Sequence, residues 1–543
     1  MLRLLSIGLV VALAAPSAAA QTFTSSDLPI VRIDTGGAEI PDEPKIPATM
    51  EIVDNGPGQR NGVADPATGY DGHIGIELRG SSSQFTFPKK QYGVETWDAD
   101  GEDLDASLLG LPEEEDWILY APYSDKSLVR NVLAYDLARE AGRYASRRRF
   151  VELVLDGEYQ GLYVLLEKAK RDGARVDIAR LRPDETEGDD LTGGYLVGLD
   201  RFAVDPSEGW ISDAPTVSGT GAVQYVHRYP RPEAIAPEQR AYIRGWFERF
   251  ESVMASDDRD DPEAGFPALI DVGSFVDFVI WQELARNIDA YRLSTFLYKD
   301  KDSDDPRLHA GPIWDFNLGY GNADYYDGGS TAGLVILYDG LRDAPGEPFQ
   351  VARWWRQLFR SPVFQDSLQA RWTELRGGLL ADGALAARVD ALAAEVDEAQ
   401  ARNFERWPVL GRYVWPNAFV GGTYAEEVGY LKGWLAARTA WLDDAFAVAA
   451  EPQPGGGLGL APPSPNPARG RVTLTLTVGD AQAVTVEIVD VLGRRVAELY
   501  GGLAVPGAPL RFGAELGALA PGRYLVRARG EGFVATQPLT VVR

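Results

Sequence analysis

The sequence predicts an α+β protein: a large domain with a mixed, β-rich first half and a helical second half, followed by a small all-β sandwich. Three observations predict it. Strand-like alternation dominates the first half of residues ~25–450. Long segments of helical period dominate the second half. Near residue 452 a Pro/Gly-rich stretch intervenes, and the last part of the chain alternates apolar and polar residues between glycine-rich turns.

The 543 residues suit two or three domains, and 45% apolar content supports a substantial core. The net charge is −27, so the surface repels nucleic-acid phosphates and anionic membranes, and no nucleic-acid partner is expected. Nine of the 53 basic residues are lysines. The absence of cysteine excludes thiol catalysis, disulfides and Cys-based zinc sites. The three histidines, His73, His227 and His309, lie far apart. Abundant carboxylates make hard-cation chemistry the better expectation.

Residues 1–20 read as a secretory signal. Arg3 is followed by an apolar run from Leu4 to Ala15, then by Ala18-Ala19-Ala20, with cleavage expected before Gln21. That run is shorter than a membrane span requires, and no later segment is long and apolar enough, so no integral span is expected. The main body is 21–450. Gly75–Arg79, Tyr92–Thr96, Phe150–Leu155 and Gly161–Leu166 read as strands, the last two joined by Asp156-Gly157-Glu158. Asp125–Ala141 reads as a helix with Leu128, Val132, Leu133 and Leu137 on one face. Pro237–Ala255, Asp271–Arg286, Arg353–Arg376, Ala384–Arg402 and Tyr424–Ala449 read as helices, the last with Trp434 and Trp441 in the core. Residues 451–462 form a linker. In 463–543, Val472–Val478, Val484–Val489, Arg523–Ala528 and Ala535–Val541 are expected strands of the sandwich.

The chemistry concentrates around a hairpin. Asn287-Ile288-Asp289 follows one helix, a strand-like Thr295–Tyr298 comes next, then the acidic turn Asp300–Asp305, then a second apolar segment ending in Pro312-Ile313-Trp314-Asp315-Phe316-Asn317. A hairpin would bring Asp289 and Asp315 to one end. Two carboxylates there could divide phosphoryl transfer, one orienting or deprotonating a hydroxyl and the other holding Mg²⁺. They could equally be a turn cap and a structural carboxylate. Arg79-Gly80-Ser81-Ser82-Ser83 follows a strand with small residues able to offer N–H groups to phosphate, and Lys89-Lys90 leads into another strand. The Asp300–Asp305 run lacks the glycine and glutamate of a calcium loop and reads as a solvated hairpin tip.

Together these blocks resemble the CotH family of atypical, spore-coat-type protein kinases. The likeness also takes in Trp117–Asn131, Asp156–Tyr163, Glu167-Lys168 and Gly193–Leu196, and spans about residues 28–445. The resemblance implies a divergent protein-kinase-like fold that binds ATP and Mg²⁺ (or Mn²⁺) and phosphorylates Ser/Thr of exported proteins. It makes Asp289 the catalytic aspartate and Asp315 the metal aspartate. It makes Lys89 or Lys90 the nucleotide lysine, with Lys89 favoured, and lays Arg79, Ser81, Ser82 and Ser83 over the phosphates. Glu167 and Arg130 are further candidates at the nucleotide site, each with a structural alternative. Ordinary kinases place an Asn for the second metal five residues after the catalytic Asp. Ser294 stands there, and Asn317 is the candidate substitute.

The tail carries Ser464-Pro465-Asn466-Pro467, Val489-Asp490-Val491-Leu492-Gly493-Arg494 and Pro521-Gly522-Arg523-Tyr524-Leu525-Val526-Arg527. These resemble the C-terminal (Por) sorting domain of type IX secretion. That implies the type IX machinery as a partner and release or attachment at the outer cell surface. The competing functional expectation is a non-catalytic surface binding or adhesion protein, a pseudokinase on the same fold.

Overall fold

The computed structural model describes residues 23–201, 206–219, 221–338, 350–449 and 458–542, the last without 462, 479–481, 491–494, 506–508, 518 and 531–532. The expected signal, 1–20, and most of the expected linker, 451–462, lie outside the described residues.

The β-rich half is a closed barrel. Its strands are β2 (Ile30–Asp34), β3 (Ile46–Val53), β5 (Tyr70–Arg79), β6 (Gln91–Trp97), β7 (Asp116–Tyr120), β8 (Arg148–Leu155) and β9 (Glu158–Glu167), in the order β2-β3-β5-β6-β7-β9-β8. A separate two-residue ladder pairs β1 (Ser25–Ser26) with β4 (Asn61–Gly62). The barrel neighbours run antiparallel except at the closure, where β2 pairs parallel with β8, Ile30 opposite Glu152. The β8–β9 hairpin turns on Asp156 and Gly157, both at positive φ, as a two-residue primed turn requires.

The period-2 pleat explains why β7 and β9 read as nearly continuous apolar runs. Trp117, Leu119, Tyr163 and Leu165 point into the barrel. Their neighbours Ile118, Tyr120, Leu162, Val164 and Leu166 join the core shared with the helices. Both faces are covered, so both are apolar.

A second sheet has the order β11-β12-β10-β13-β14, from β10 (Tyr195–Leu199), β11 (Gly209–Ile211), β12 (Gln224–Tyr229), β13 (Thr295–Lys299) and β14 (Leu308–Ala310). The helices are α1 (Ser82–Thr86), α2 (Arg130–Glu140), α3 (Pro237–Ala255), α4 (Phe266–Leu269), α5 (Val272–Ala285), α6 (Arg353–Phe359), α7 (Pro362–Arg376), α8 (Asp382–Glu395), α9 (Asp397–Arg406) and α10 (Tyr424–Ala449). Three expected helices differ in extent. Arg353–Arg376 breaks in two at Ser361-Pro362, where Ser361 Oγ accepts from Phe364 N and Pro362 opens the next helix. Ala384–Arg402 breaks at Val396. The helix expected from Asp125 starts at Arg130, because the Asp125 carboxylate accepts from the backbone N–H of Ser127 and Arg130 and Leu128 adopts φ 66°. No helix among the described residues is long and apolar enough to cross a membrane.

In the C-terminal region β15 (Leu458–Leu460), β16 (Arg471–Val478) and β19 (Leu510–Glu515) form one sheet. A second has the order β18-β17-β20-β21, from β17 (Gln482–Asp490), β18 (Arg495–Ala504), β20 (Gly522–Gly530) and β21 (Phe533–Val541). Leu474 and Leu476 of the first share an apolar cluster with Val486, Ile488 and Val526 of the second.

Helix α9 fastens the barrel to the helical half. Arg402 Nε donates to Glu152 Oε1 at 3.0 Å, and Ser26 Oγ and Tyr159 Oη also donate to that fully buried carboxylate. Removing one member of a buried pair strands the other charge, at a cost of about 3–5 kcal/mol. Arg402→Ala is therefore expected to lower unfolding free energy by about that amount in a denaturant titration. A loss within experimental error would show that α9 does not anchor the barrel.

Candidate active site

A cleft of about 750 Å³ opens between the barrel and the second sheet. Arg79 at the end of β5, Asp116 at the start of β7 and Lys168 just beyond β9 form the barrel wall. Asp200, Arg228, Ser294, Phe296 and Trp314 form the opposite wall, and residues 169–171 and 180–183 close one side. The cleft is rich in cations on a chain that is otherwise strongly acidic.

The β13–β14 hairpin, with Leu297 opposite Ala310, brings Asp289 and Asp315 to the same end. Asp289 lies in the loop between α5 and β13, and its Oδ1 accepts from Arg292 at 2.5 Å. Asp315 follows β14 in a left-handed conformation, φ 61°. Seven of the ten non-glycine residues at positive φ among the described residues fall between Arg286 and Asp327. Such strain persists only where surrounding contacts hold it, and it gathers at functional sites.

Helix α2 supplies that hold. Asn131 and Tyr135, four residues apart on one helix face, accept from the backbone N–H groups of Phe316 (2.6 Å) and Asp315 (3.2 Å). Asn287 Nδ2 donates to the Asp315 carbonyl at 3.3 Å, and Tyr135 stacks on Trp314. Burial, reinforced by the charges of Asp289 and Asp200 and opposed by Arg79, pushes the Asp315 carboxyl up to about 7. Two residues on, the Asn317 amide oxygen is buried without a hydrogen-bond donor among the described residues. A carboxylate and an unpartnered amide oxygen are hard ligands of the kind Mg²⁺ takes.

The cations of the cleft are fixed individually. Arg79 lies 5.8 Å from the Trp314 ring, and burial lowers its pKa, helped by Arg228. Lys168 Nζ pairs with Asp116 Oδ1 at 2.8 Å. Burial lowers the lysine's pKa, whereas Lys168 and Lys170 overcome burial to hold Asp116 well below the usual carboxylate range. Arg228 pairs with Asp200 at 2.7 Å. Glu114, Glu115 and Asp116 bring carboxylate oxygens close together, but Lys170 pairs with all three and Arg175 with Glu114. They therefore form an ion-pair network rather than an open cation site.

Of the expected site residues only Arg79 lines the cleft; Asp315 directly follows the lining residue Trp314, Asp289 and Asn317 likewise lie outside the lining, and the remaining expected residues lie elsewhere. Lys89 is buried with Nζ donating to Leu162 O and Asn403 Oδ1, 4.8 Å from the Tyr163 ring, and burial brings its pKa down to about 7. It ties the barrel to α9 and does not line the cleft. Lys90 donates to the carbonyls of Gln84 and Phe87 and secures the β5–β6 connection. Ser81, Ser82 and Ser83 sit at the start of α1 in that connection, with Ser83 Oγ accepting from Gln91, and none lines the cleft. Glu167 is fully buried against Arg147 and Tyr144. Arg130 forms an internal ion pair with Asp125, each side chain 1% exposed. The lysines lining the cleft are Lys168, next to Glu167 in the Glu167-Lys168 block, and Lys170. The glutamate that ends β9 is buried, whereas Lys168, just beyond the strand, lines the cleft.

The family profile described as CotH kinase protein matches residues 76–442. The chain belongs to that family. No curated protein matches it. Among solved structures, an engineered protein matches at 20% identity with a TM-score of 0.15. The match covers 34% of this chain and 47% of that one, so the chain spans less than half the length of that structure. Every element of the cleft described above except part of the barrel falls within the CotH kinase match.

Two outcomes follow for this CotH kinase protein. Lys168→Met is expected to weaken binding of an anionic probe, inorganic triphosphate, to the cationic cleft roughly ten- to hundredfold by calorimetry, the loss of one charge-assisted contact, while Lys89→Met leaves binding unchanged and lowers stability. The reverse pattern would point to Lys89 as the anion-binding lysine. The second outcome concerns pH. The folded-state pKa of Asp315 lies above its ordinary value, so its contribution to stability is complete below about pH 4 and is lost as pH rises through about 7. Wild type should therefore lose melting temperature relative to Asp315→Asn between about pH 4 and pH 7. Parallel pH profiles would show that Asp315 is not the perturbed group.

Proposed function

We propose that this protein is a Ser/Thr protein kinase of exported proteins, moving the γ-phosphate of ATP to a hydroxyl. The observation that carries this reading is the meeting of Asp289 and Asp315 at one end of a hairpin, beside a cleft holding Arg79 and Lys168. Arg79 and Lys168 would bind the donor phosphates. Asp289, held by Arg292, would orient the acceptor hydroxyl and take its proton as the oxygen–phosphorus bond forms and the bond to ADP breaks. Asp315 and Asn317 would hold Mg²⁺, which when bound neutralises phosphate charge. The kinase-like fold assignment rests on family membership together with this division of roles.

Export belongs to the same proposal. The signal-like residues 1–20 support secretion, and the three sequence blocks of 463–543 support a type IX sorting domain, the type IX machinery as partner, and release or attachment at the outer surface. A second reading, nucleotide binding without transfer, is favoured by Ser294. It lines the cleft at φ 48° where kinases carry a metal-binding asparagine.

Residues 21–450 incubated with γ-labelled ATP, Mg²⁺ and a Ser-rich acceptor should transfer label. Asp289→Asn and Asp315→Asn should each lower the rate by about 10³-fold. Nucleotide binding with no transfer to any acceptor would favour the second reading, and absence of nucleotide binding would contradict both.

A further inference from the structure

Behind the segment that leads to Asp315 lies a second cavity of about 190 Å³, which shares no lining residue with the cleft. Its walls come from the end of α2, from α5, from β13 and β14, and from Gly311-Pro312-Ile313. We propose that this cavity is a binding site for a small, uncharged, planar molecule carrying one hydrogen-bond acceptor.

Size and lining set the class. An apolar cavity of about 150 Å³ is enough to take up benzene. Here Ala138, Val176, Phe278, Ala310 and Ile313 provide the apolar wall, each less than a tenth exposed. Charge is cancelled within the buried part of the wall. Asp277 accepts from Arg143 Nε at 2.6 Å and from Arg371 Nε at 2.8 Å, and Arg175 is paired with Glu114. The other charged lining residue, Asp177, is exposed to solvent. An ionic ligand would therefore meet no buried uncompensated partner.

Trp281 sets the acceptor. It lines the cavity, is 1% exposed, and its Nε1–H has no acceptor among the described residues. Buried indole N–H groups are normally satisfied, and one left open beside a void is where a ligand oxygen or ring nitrogen would bond. The wall opposite α5 is the stretch two to four residues before Asp315, so an occupant would pack against the base of the turn that presents that carboxylate.

Benzamide is a suitable probe, with a planar ring and a carbonyl acceptor, and toluene is its acceptor-free counterpart. Added to the full chain and followed by ligand-observed NMR and calorimetry, benzamide should bind with a dissociation constant below about 1 mM and more tightly than toluene. Trp281→Phe should abolish the preference for benzamide while retaining toluene binding, which also reports that the fold is intact. Ala138→Leu should exclude both. Absence of benzamide binding to wild type, or a benzamide preference that survives Trp281→Phe, would overturn the proposal.

Discussion

The site depends on the grip of α2 on a single left-handed turn. Asp315, directly after the cleft-lining Trp314, sits at a backbone conformation that side chains ordinarily avoid. Asn131 and Tyr135 hold it there by capturing two successive backbone N–H groups, and Asn287 holds the carbonyl of the same residue. Helix α2 is buried along most of its length in the main core, and Arg130 with Asp125 fixes its first turn. The strain at Asp315 is therefore borne by the packing of a whole helix.

The barrel contributes a rigid wall. Closure through the parallel β2–β8 pair leaves the end of β5 and the exit of β9 in fixed relation, and these two points carry Arg79 and Lys168. The Arg402–Glu152 cluster and Lys89–Asn403 then tie the barrel to α9. The buried charges that bridge the two halves serve this joint, whereas Lys168 with Asp116 and Arg228 with Asp200 are paired along the cleft.

That distinction explains what could be read in the sequence. The helices of long period, the β13–β14 hairpin and the approach of Asp289 to Asp315 follow from local pattern, because each is decided by neighbours within about 30 residues. The closed barrel does not, since its closing pair joins Ile30 to Glu152 across more than a hundred residues. Lys89 and Lys168 could not be ranked from sequence either. Both adjoin apolar strands, and only the course of the chain sends one toward α9 and the other into the cleft. Glu167 and Arg130 read as site candidates because they sit inside motif blocks; burial against Arg147 and Asp125 shows them supporting the scaffold. Asn131 and Tyr135 carried one available signal, their four-residue spacing on a helix beside the Asp125 turn.

We propose that the hairpin end and the cationic cleft form one site for a metal-bound triphosphate. A crystal structure with Mn²⁺ and a non-hydrolysable ATP analogue tests it most directly, because manganese is located by its anomalous signal independently of the protein. Manganese bound by Asp315 with Asn317, and phosphates against Arg79 and Lys168, is the expected result. Manganese at Glu114–Asp116, or nucleotide outside the cleft with Asp315 unliganded, would contradict it.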